Sequence, residues 1–253
     1  MYANRTIKAQ ATKDLTNLRG HLTMLEPLYD KDIQCLACEN TYQTKRIRSR
    51  FIRAYKHDTD FCSYYEPDHL NPLFYYVSVC PTCGFSQSDE FDAYFPPGAL
   101  EIIKKEISSN WNVQYQYGQQ RSIHEAINTY KLAILAASLK QEKHLTKAGL
   151  YMRLAWIYRT LDQKEDELKF LKISVLEYVN AYSKENVEKS DMSEIRVVYL
   201  IGEIYRRLQD YKQATQYFSM AIAMKDETHE KRIVELARER WYDIRQDQQK
   251  SYA

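Results

Sequence analysis

Cys35-Leu36-Ala37-Cys38 and Cys80-Pro81-Thr82-Cys83 are the two stretches from which the rest of the chain is laid out. Two Cys-x-x-Cys pairs supply four thiolates, the donor set of a tetrahedral structural zinc ion. The 41 residues between the pairs exceed the roughly 15 to 20 of an ordinary finger, so they must form a small sheet of their own, and a zinc-ribbon-like module is expected. Closing a loop of that length costs about 3 kcal/mol, against about 10 to 16 kcal/mol from structural zinc in small peptides. The same four sulfurs suit a rubredoxin-like iron, and redox or disulfide use is the further alternative. Disulfides need an oxidising compartment, whereas Met1-Tyr2-Ala3-Asn4-Arg5-Thr6 lacks the apolar core of a signal peptide; a cytoplasmic protein is expected. A thioredoxin-type site fits poorly, because the pairs are separated and no βαβ pattern surrounds them.

Composition divides the chain. All six prolines lie between Pro27 and Pro97, and proline is excluded from helix interiors. The expected fold is α+β, with a zinc-ribbon-like β module over residues 26–97 and an all-α domain over residues 98–253. Residues 1–25, with Leu15, Leu18, Leu22 and Leu25 at helical spacing, form a tail or short helix. A net charge of +2 gives no global reason to bind nucleic acid or acidic lipid, and the longest apolar run, Leu132 to Leu139, is too short to cross a membrane. Six scattered glycines leave no glycine-rich phosphate loop. Neither a His-Glu-x-x-His site nor a Gly-x-Ser-x-Gly elbow is present, and four thiolates close a metal site to substrate. No enzyme is expected.

Between the pairs, Thr41 to Lys56 alternates like a half-buried strand, with Ile47 and Phe51 opposite Arg46, Arg48 and Arg50. Arg46, Arg48, Arg50, Arg53 and Lys56, interleaved with Phe51 and Tyr55, form a stripe able to track phosphates, which makes a nucleic-acid-associated factor the alternative function. A solvated strand face is the preferred reading, because Asp58, Asp60, Glu66 and Asp68 follow as pairing partners. His57-Asp58-Thr59-Asp60-Phe61-Cys62 marks a polar turn. His57 or Cys62 is a candidate extra metal ligand, and Asp58 with Asp60 a candidate acid/base pair. Turn-capping aspartates and a small buried cysteine are preferred. Phe74 to Val79 is rich in β-formers and leads as a strand into the second pair. Gly84 follows Cys83 and permits a tight knuckle; Glu39 stands at the equivalent place in the first, whose turn is expected to be less regular.

Two Cys-x-x-Cys pairs, Asp58-Thr59-Asp60-Phe61 between them, then Asn71-Pro72 and Val77-Ser78-Val79-Cys80-Pro81-Thr82-Cys83-Gly84, resemble the bacterial domain of unknown function 2225. The resemblance covers roughly residues 26 to 220. It implies a metal-binding N-terminal part followed by tetratricopeptide-like helices, in cytosolic proteins. Leu36 and Glu39 depart from the Cys-Pro-x-Cys-Gly form expected at the first knuckle.

The helical half repeats itself. A shift of 47 residues aligns Leu154 to Leu161 with Ile201 to Leu208, with four identities in eight, a period of stacked helix pairs. Gly202, Tyr205, Ala214, Phe218 and Ala221 resemble the packing positions of a tetratricopeptide repeat. The earlier copy keeps Ala155 and Tyr158 but has Glu167 where alanine is expected, and Ala126, Tyr130 and Ala133 look like half of a still earlier repeat. The stripe Ile233, Leu236, Ala237, Trp241 and Ile244 suits a terminal capping helix. By resemblance to tetratricopeptide arrays, Met152, Trp156 and Arg159 of one helix and Arg196, Tyr199, Glu203 and Arg206 of another line a concave groove. Arginine forks suit carboxylates, so a peptide or helix segment carrying acidic groups is the expected partner. The functional expectation is a non-enzymatic zinc-binding interaction or scaffold protein.

Overall fold

A computed structural model describes residues 25–185 and 192–251; the tail or helix expected over residues 1–25 falls, apart from Leu25, outside them. The N-terminal part consists of three two-stranded antiparallel hairpins that share no ladder. The first pairs β1 (Leu28–Gln34) with β2 (Thr41–Ile47), from Leu28↔Ile47 to Gln34↔Thr41. Ile33, Tyr42 and Thr44 are buried while Gln34, Thr41 and Gln43 are exposed, the two-residue period of a sheet with one wet face. The second pairs β3 (Ala54–His57) with β4 (Ser63–Tyr65) around a register shift between Ala54 and Lys56. The third pairs β5 (Ser78–Val79) with β6 (Ser86–Gln87).

Two sequence expectations are corrected here. Thr41 to Lys56 is not one strand: β2 ends at Ile47, a 3-10 turn covers Ser49–Phe51, and β3 starts at Ala54. The break has a cause in hydrogen bonding. Arg46 turns inward to the Tyr75 carbonyl and the Ser78 hydroxyl, and the Arg48 amide donates to the Pro27 carbonyl, ending the hairpin. Nor is Phe74 to Val79 a strand throughout. Asn71 accepts from the Leu73 amide at 2.9 Å and Pro72 stands at the first helical position, so residues Pro72–Tyr75 turn as a 3-10 helix.

Seven α-helices follow among the described residues: α1 (Ala99–Glu106), α2 (Ile123–Lys140), α3 (His144–Thr160), α4 (Lys164–Lys184), α5 (Glu194–Arg207), α6 (Tyr211–Ala223) and α7 (Lys231–Ser251). Ser122 and Glu125 form a reciprocal capping box that starts α2. Each helix packs on the next, and α5 also meets α7. Gly202 on α5 lets Phe218 of α6 approach to where an added Cβ would lie 2.9 Å from its ring. Ala214, Phe218 and Ala221 are fully buried beside it, with Ile233, Ala237 and Ile244 of α7 in the same cluster.

No break in packing occurs near residue 97. One apolar core runs from Ile33 and Tyr42 through Phe74, Val79 and Phe85 to Tyr130, Leu154 and Ile204. Arg121 is buried in it and stitches the halves together: its guanidinium donates to the carbonyls of Phe74 (2.9 Å), Val77 (2.7 Å) and Tyr117 (2.6 Å) and to the Thr44 hydroxyl (3.3 Å). Burial lowers its pKa to about 10, with Arg46 nearby adding to the effect. Among the described residues no helix is long and apolar enough to cross a membrane.

Candidate metal centre

Each cysteine pair sits at the tip of a hairpin, Cys35 to Asn40 between β1 and β2 and Cys80 to Phe85 between β5 and β6. The two tips repeat the same backbone bonds. Glu39 N donates to Cys35 O at 2.9 Å as Gly84 N does to Cys80 O at 2.9 Å, and Cys35 N to Asn40 O at 3.0 Å as Cys80 N does to Phe85 O at 2.9 Å. The fifth residue of each is left-handed, Gly84 at φ 73 and Glu39 at φ 61. The first knuckle is therefore as regular as the second, contrary to the reading of Glu39: a non-glycine residue tolerates this region at a cost of about 1 to 2 kcal/mol, and the two backbone bonds hold it there. At the second knuckle only glycine fits, because a Cβ on Gly84 would lie 2.4 Å from the Trp111 ring. Trp111 caps that knuckle and donates its Nε1 proton to Pro81 O at 2.9 Å.

The hairpins face each other. Cys35 Sγ lies 3.6 Å from Cys83 Sγ and Cys38 Sγ 3.7 Å from Cys80 Sγ, and all four sulfurs fall within 4.8 Å of one another. Four sulfurs about 2.3 Å from a central zinc would be about 3.8 Å apart; the 3.6 and 3.7 Å pairs match that edge, and the set as a whole, within 4.8 Å, needs only a small contraction to hold a tetrahedral ion. Cross-links hold the tips together: Asn40 donates to the Thr82 hydroxyl at 2.9 Å, and the Gln87 side chain accepts from Leu36 N at 2.9 Å while donating to Gln34 O at 3.1 Å. Hydrogen bonds from the Cys35 and Cys83 thiols, with the amides of Cys83 and Thr82, hold Cys80 far below the usual thiol range. The same sharing drives Cys35 up through its bond to Cys80, and Cys83 up through its bonds to Cys35 and Cys80. Four sulfurs this close carry full charge together only around a cation. Cys35, Cys80 and Cys83 are buried and Cys38 is exposed.

Neither candidate extra ligand joins this cluster. His57 Nδ1 lies 2.8 Å from the Ser63 hydroxyl in the second hairpin. Cys62 is wholly buried near Arg159 and Asp60, where desolvation pushes its thiol up to about 12. The basic stripe is divided by the break in the strand. Arg46 is spent on internal carbonyl and hydroxyl groups, Arg48 bonds the Glu26 carbonyl and covers the Tyr29 ring, and Lys56 pairs with Asp58 at 3.4 Å over the Tyr64 ring. Arg50 and Arg53 are exposed.

Of the residues assigned to the groove, Trp156, Arg159, Arg196, Tyr199, Glu203 and Arg206 come together around a segment of the same chain, while Met152 is buried in the apolar core. Between β3 and β4 the turn Asp58-Thr59-Asp60-Phe61, with Phe61 left-handed at φ 67, enters between α3 and α5. Arg159 bonds Asp58 at 3.0 Å, Asp60 at 2.6 and 3.0 Å and Glu167 at 2.8 Å. Trp156 donates to Asp60 at 3.2 Å and Tyr199 to the Thr59 carbonyl at 2.8 Å. Glu203 accepts from the Thr59 hydroxyl and from Arg206 and Arg207, and Arg196 bonds Glu230 while lying over the Phe61 ring. Met152, Tyr199 and Glu203 are no more than 1 % exposed, so these positions do not face open solvent. The arginines also act on the charge state of Asp58. Burial works against charge on Asp58, but the Tyr64 hydroxyl, Arg207 and Arg159 outweigh it and hold the carboxyl below its usual range, where it accepts bonds as a carboxylate.

Sequence reasoning missed the turn as the occupant of the groove, and with it Arg207, which reaches Asp60 at 3.2 Å. One signal was present. Glu167 stands where the repeat calls for alanine, and a carboxylate there, 3 % exposed, requires a buried cation, which Arg159 supplies. The family described as an uncharacterized protein conserved in bacteria (DUF2225) has a model that matches residues 28–244. No curated protein and no solved structure is similar enough to match.

Proposed function

We propose, from the premise that the chain belongs to this uncharacterised bacterial family, that it is a non-enzymatic, cytoplasmic interaction protein with a structural zinc ion and a tetratricopeptide-like array that recruits a protein partner. The observation that carries the metal half is the pair of matching knuckles that bring Cys35, Cys38, Cys80 and Cys83 within 4.8 Å. Four protein thiolates leave no open coordination position, so the metal stiffens the N-terminal hairpins and does no chemistry. Zinc is preferred over iron because tight all-thiolate sites without redox demand take it readily.

Support for the interaction half comes from the way α3 and α5 already hold a short acidic turn through arginine forks, an indole donor and a tyrosine hydroxyl, the composition of binding hot spots. The nucleic-acid alternative draws less support, since Arg46, Arg48 and Lys56 have partners within the chain. The test is metal analysis of the full chain together with its isolation from bacterial cytosol, before and after a wash at about 0.5 M salt. About one zinc per chain and a protein companion that survives the wash are expected, since contacts to several phosphates weaken steeply with salt. A well-folded chain without metal, or a nucleic-acid companion lost in the wash, overturns the reading.

A further inference from the structure

We propose that the arm made of β3, β4 and their turn is a removable occupant of the helical groove, and that the groove's partner is a protein presenting the same chemistry: two carboxylates one residue apart, followed by an aromatic ring on a tight turn. The proposal rests on the reading of the helices as a protein-binding array and names the ligand of that site.

Two observations set the arm apart from a strut of the fold. Its ladder joins neither of the other hairpins, and all four residues of β3 are exposed. Its two roots already touch, since the Glu66 amide donates to the Arg53 carbonyl at 3.1 Å; the rest of the module does not need the intervening residues to close. Its attachment at the tip joins a polar network to two apolar anchors, the wholly buried Cys62 and Phe61, which packs against both apolar clusters. Asp60 is held by Arg159, Arg207 and Trp156, and Thr59 by Tyr199 and Glu203. Phe61, at 5.5 Å from the Tyr199 ring, supplies the principal aromatic contact.

Such a site can exchange occupants at little net cost. Lifting the arm alone would strip Arg159 of Asp58 and Asp60 and Arg207 of Asp60, leaving them Glu167 and Glu203 as carboxylate partners, which is unfavourable for groups this far from water. A turn of the same chemistry entering in its place remakes each of those bonds. The tethered arm competes at an effective concentration of the millimolar order, so the groove is closed to weak acidic segments and open to one that matches the arm. Charge complementarity sets the selectivity: Arg159, Arg196, Arg206 and Arg207 converge on the tip, and Glu203 rejects a carboxylate at the position of Thr59.

The experiment uses the full chain with residues 54–65 replaced by a Gly-Ser-Gly turn, and, as probe, a cyclised peptide of residues 53–66 carrying a fluorophore. Fluorescence anisotropy should show one-to-one binding to the arm-replaced chain, and at least about tenfold weaker binding to the intact chain, where the tethered arm competes. Asp60→Asn in the peptide, or Arg159→Ala in the arm-replaced chain, should each weaken binding by about tenfold or more. In the intact chain, excess peptide should speed hydrogen exchange at the Asp58 amide, which is bonded to the Cys62 carbonyl at 2.8 Å. The proposal is overturned if the arm-replaced chain does not fold, if it folds and binds no peptide, or if intact and arm-replaced chains bind equally. Because the probe is synthetic, these results are independent of which protein, if any, accompanies the chain in cytosol.

Discussion

Arg159→Ala removes the centre of the network that seats the turn. Its guanidinium serves three carboxylates at once, Asp58, Asp60 and Glu167, at 2.6 to 3.0 Å, and their side chains are 17 %, 0 % and 3 % exposed. Breaking a buried ion pair costs about 3 to 5 kcal/mol. The loss should fall at the lower end, about 3 kcal/mol, because Asp60 keeps Arg207 and Trp156 and Glu167 keeps Lys164. For a chain of this size that corresponds to a melting temperature lower by about 6 to 12 °C. This reverses what a free groove implies, namely an arginine whose removal affects partner capture and leaves stability alone. The pH dependence carries a second signature. The folded pKa of Asp58 lies below its ordinary value, so its contribution is fully present above the unfolded pKa of about 3.9 and is lost as pH falls through the lower folded value. The variant lacks one of the cations that depress that pKa, so the gap between wild type and variant should narrow as pH drops from 7 to below about 4. Urea unfolding at several pH values measures both. A folded variant within about 0.5 kcal/mol of wild type at pH 7, or a gap that does not change with pH, would refute the assignment of Arg159 as the buried hub.

Cys80→Ser, or chelation of the metal, should lower the midpoint of one cooperative transition and not melt the N-terminal part separately, because Phe74, Val79 and Phe85 share a core with Tyr130 and Leu154; calorimetry showing two resolved transitions would contradict the shared core. Gly84→Ala should destabilise by about 2 to 4 kcal/mol, combining a left-handed backbone with overpacking against Trp111. Gly98→Ala, at φ 79 with open space around it, should cost only about 1 kcal/mol, and equal losses in denaturant melts would disprove the role of Trp111. Arg48→Glu with Arg50→Glu should leave the principal protein interaction intact, since Arg48 faces Glu26 and Tyr29 and Arg50 lies over Phe51; disappearance of a salt-sensitive RNA or DNA complex in that double variant would favour the alternative function.

What the sequence by itself determined was local. The spacing of Cys35, Cys38, Cys80 and Cys83 fixes two knuckles whatever surrounds them, because each is closed by bonds within six residues. Gly202, Ala214, Phe218 and Ala221 state at their own spacing that α5 and α6 pack closely. Alternation misled at Thr41 to Lys56, because an exposed arginine and one that reaches the carbonyl of Tyr75 look the same in a pattern of polar and apolar residues. Only the tertiary structure decided that the acidic turn and the arginine-lined groove satisfy each other, since Asp60 and Arg159 are 99 residues apart and both belong to patterns that suit solvent equally well. The choice between facing water and pairing in the interior rests on desolvation, which depends on what covers a side chain once the chain has folded, and a one-dimensional period does not contain that quantity.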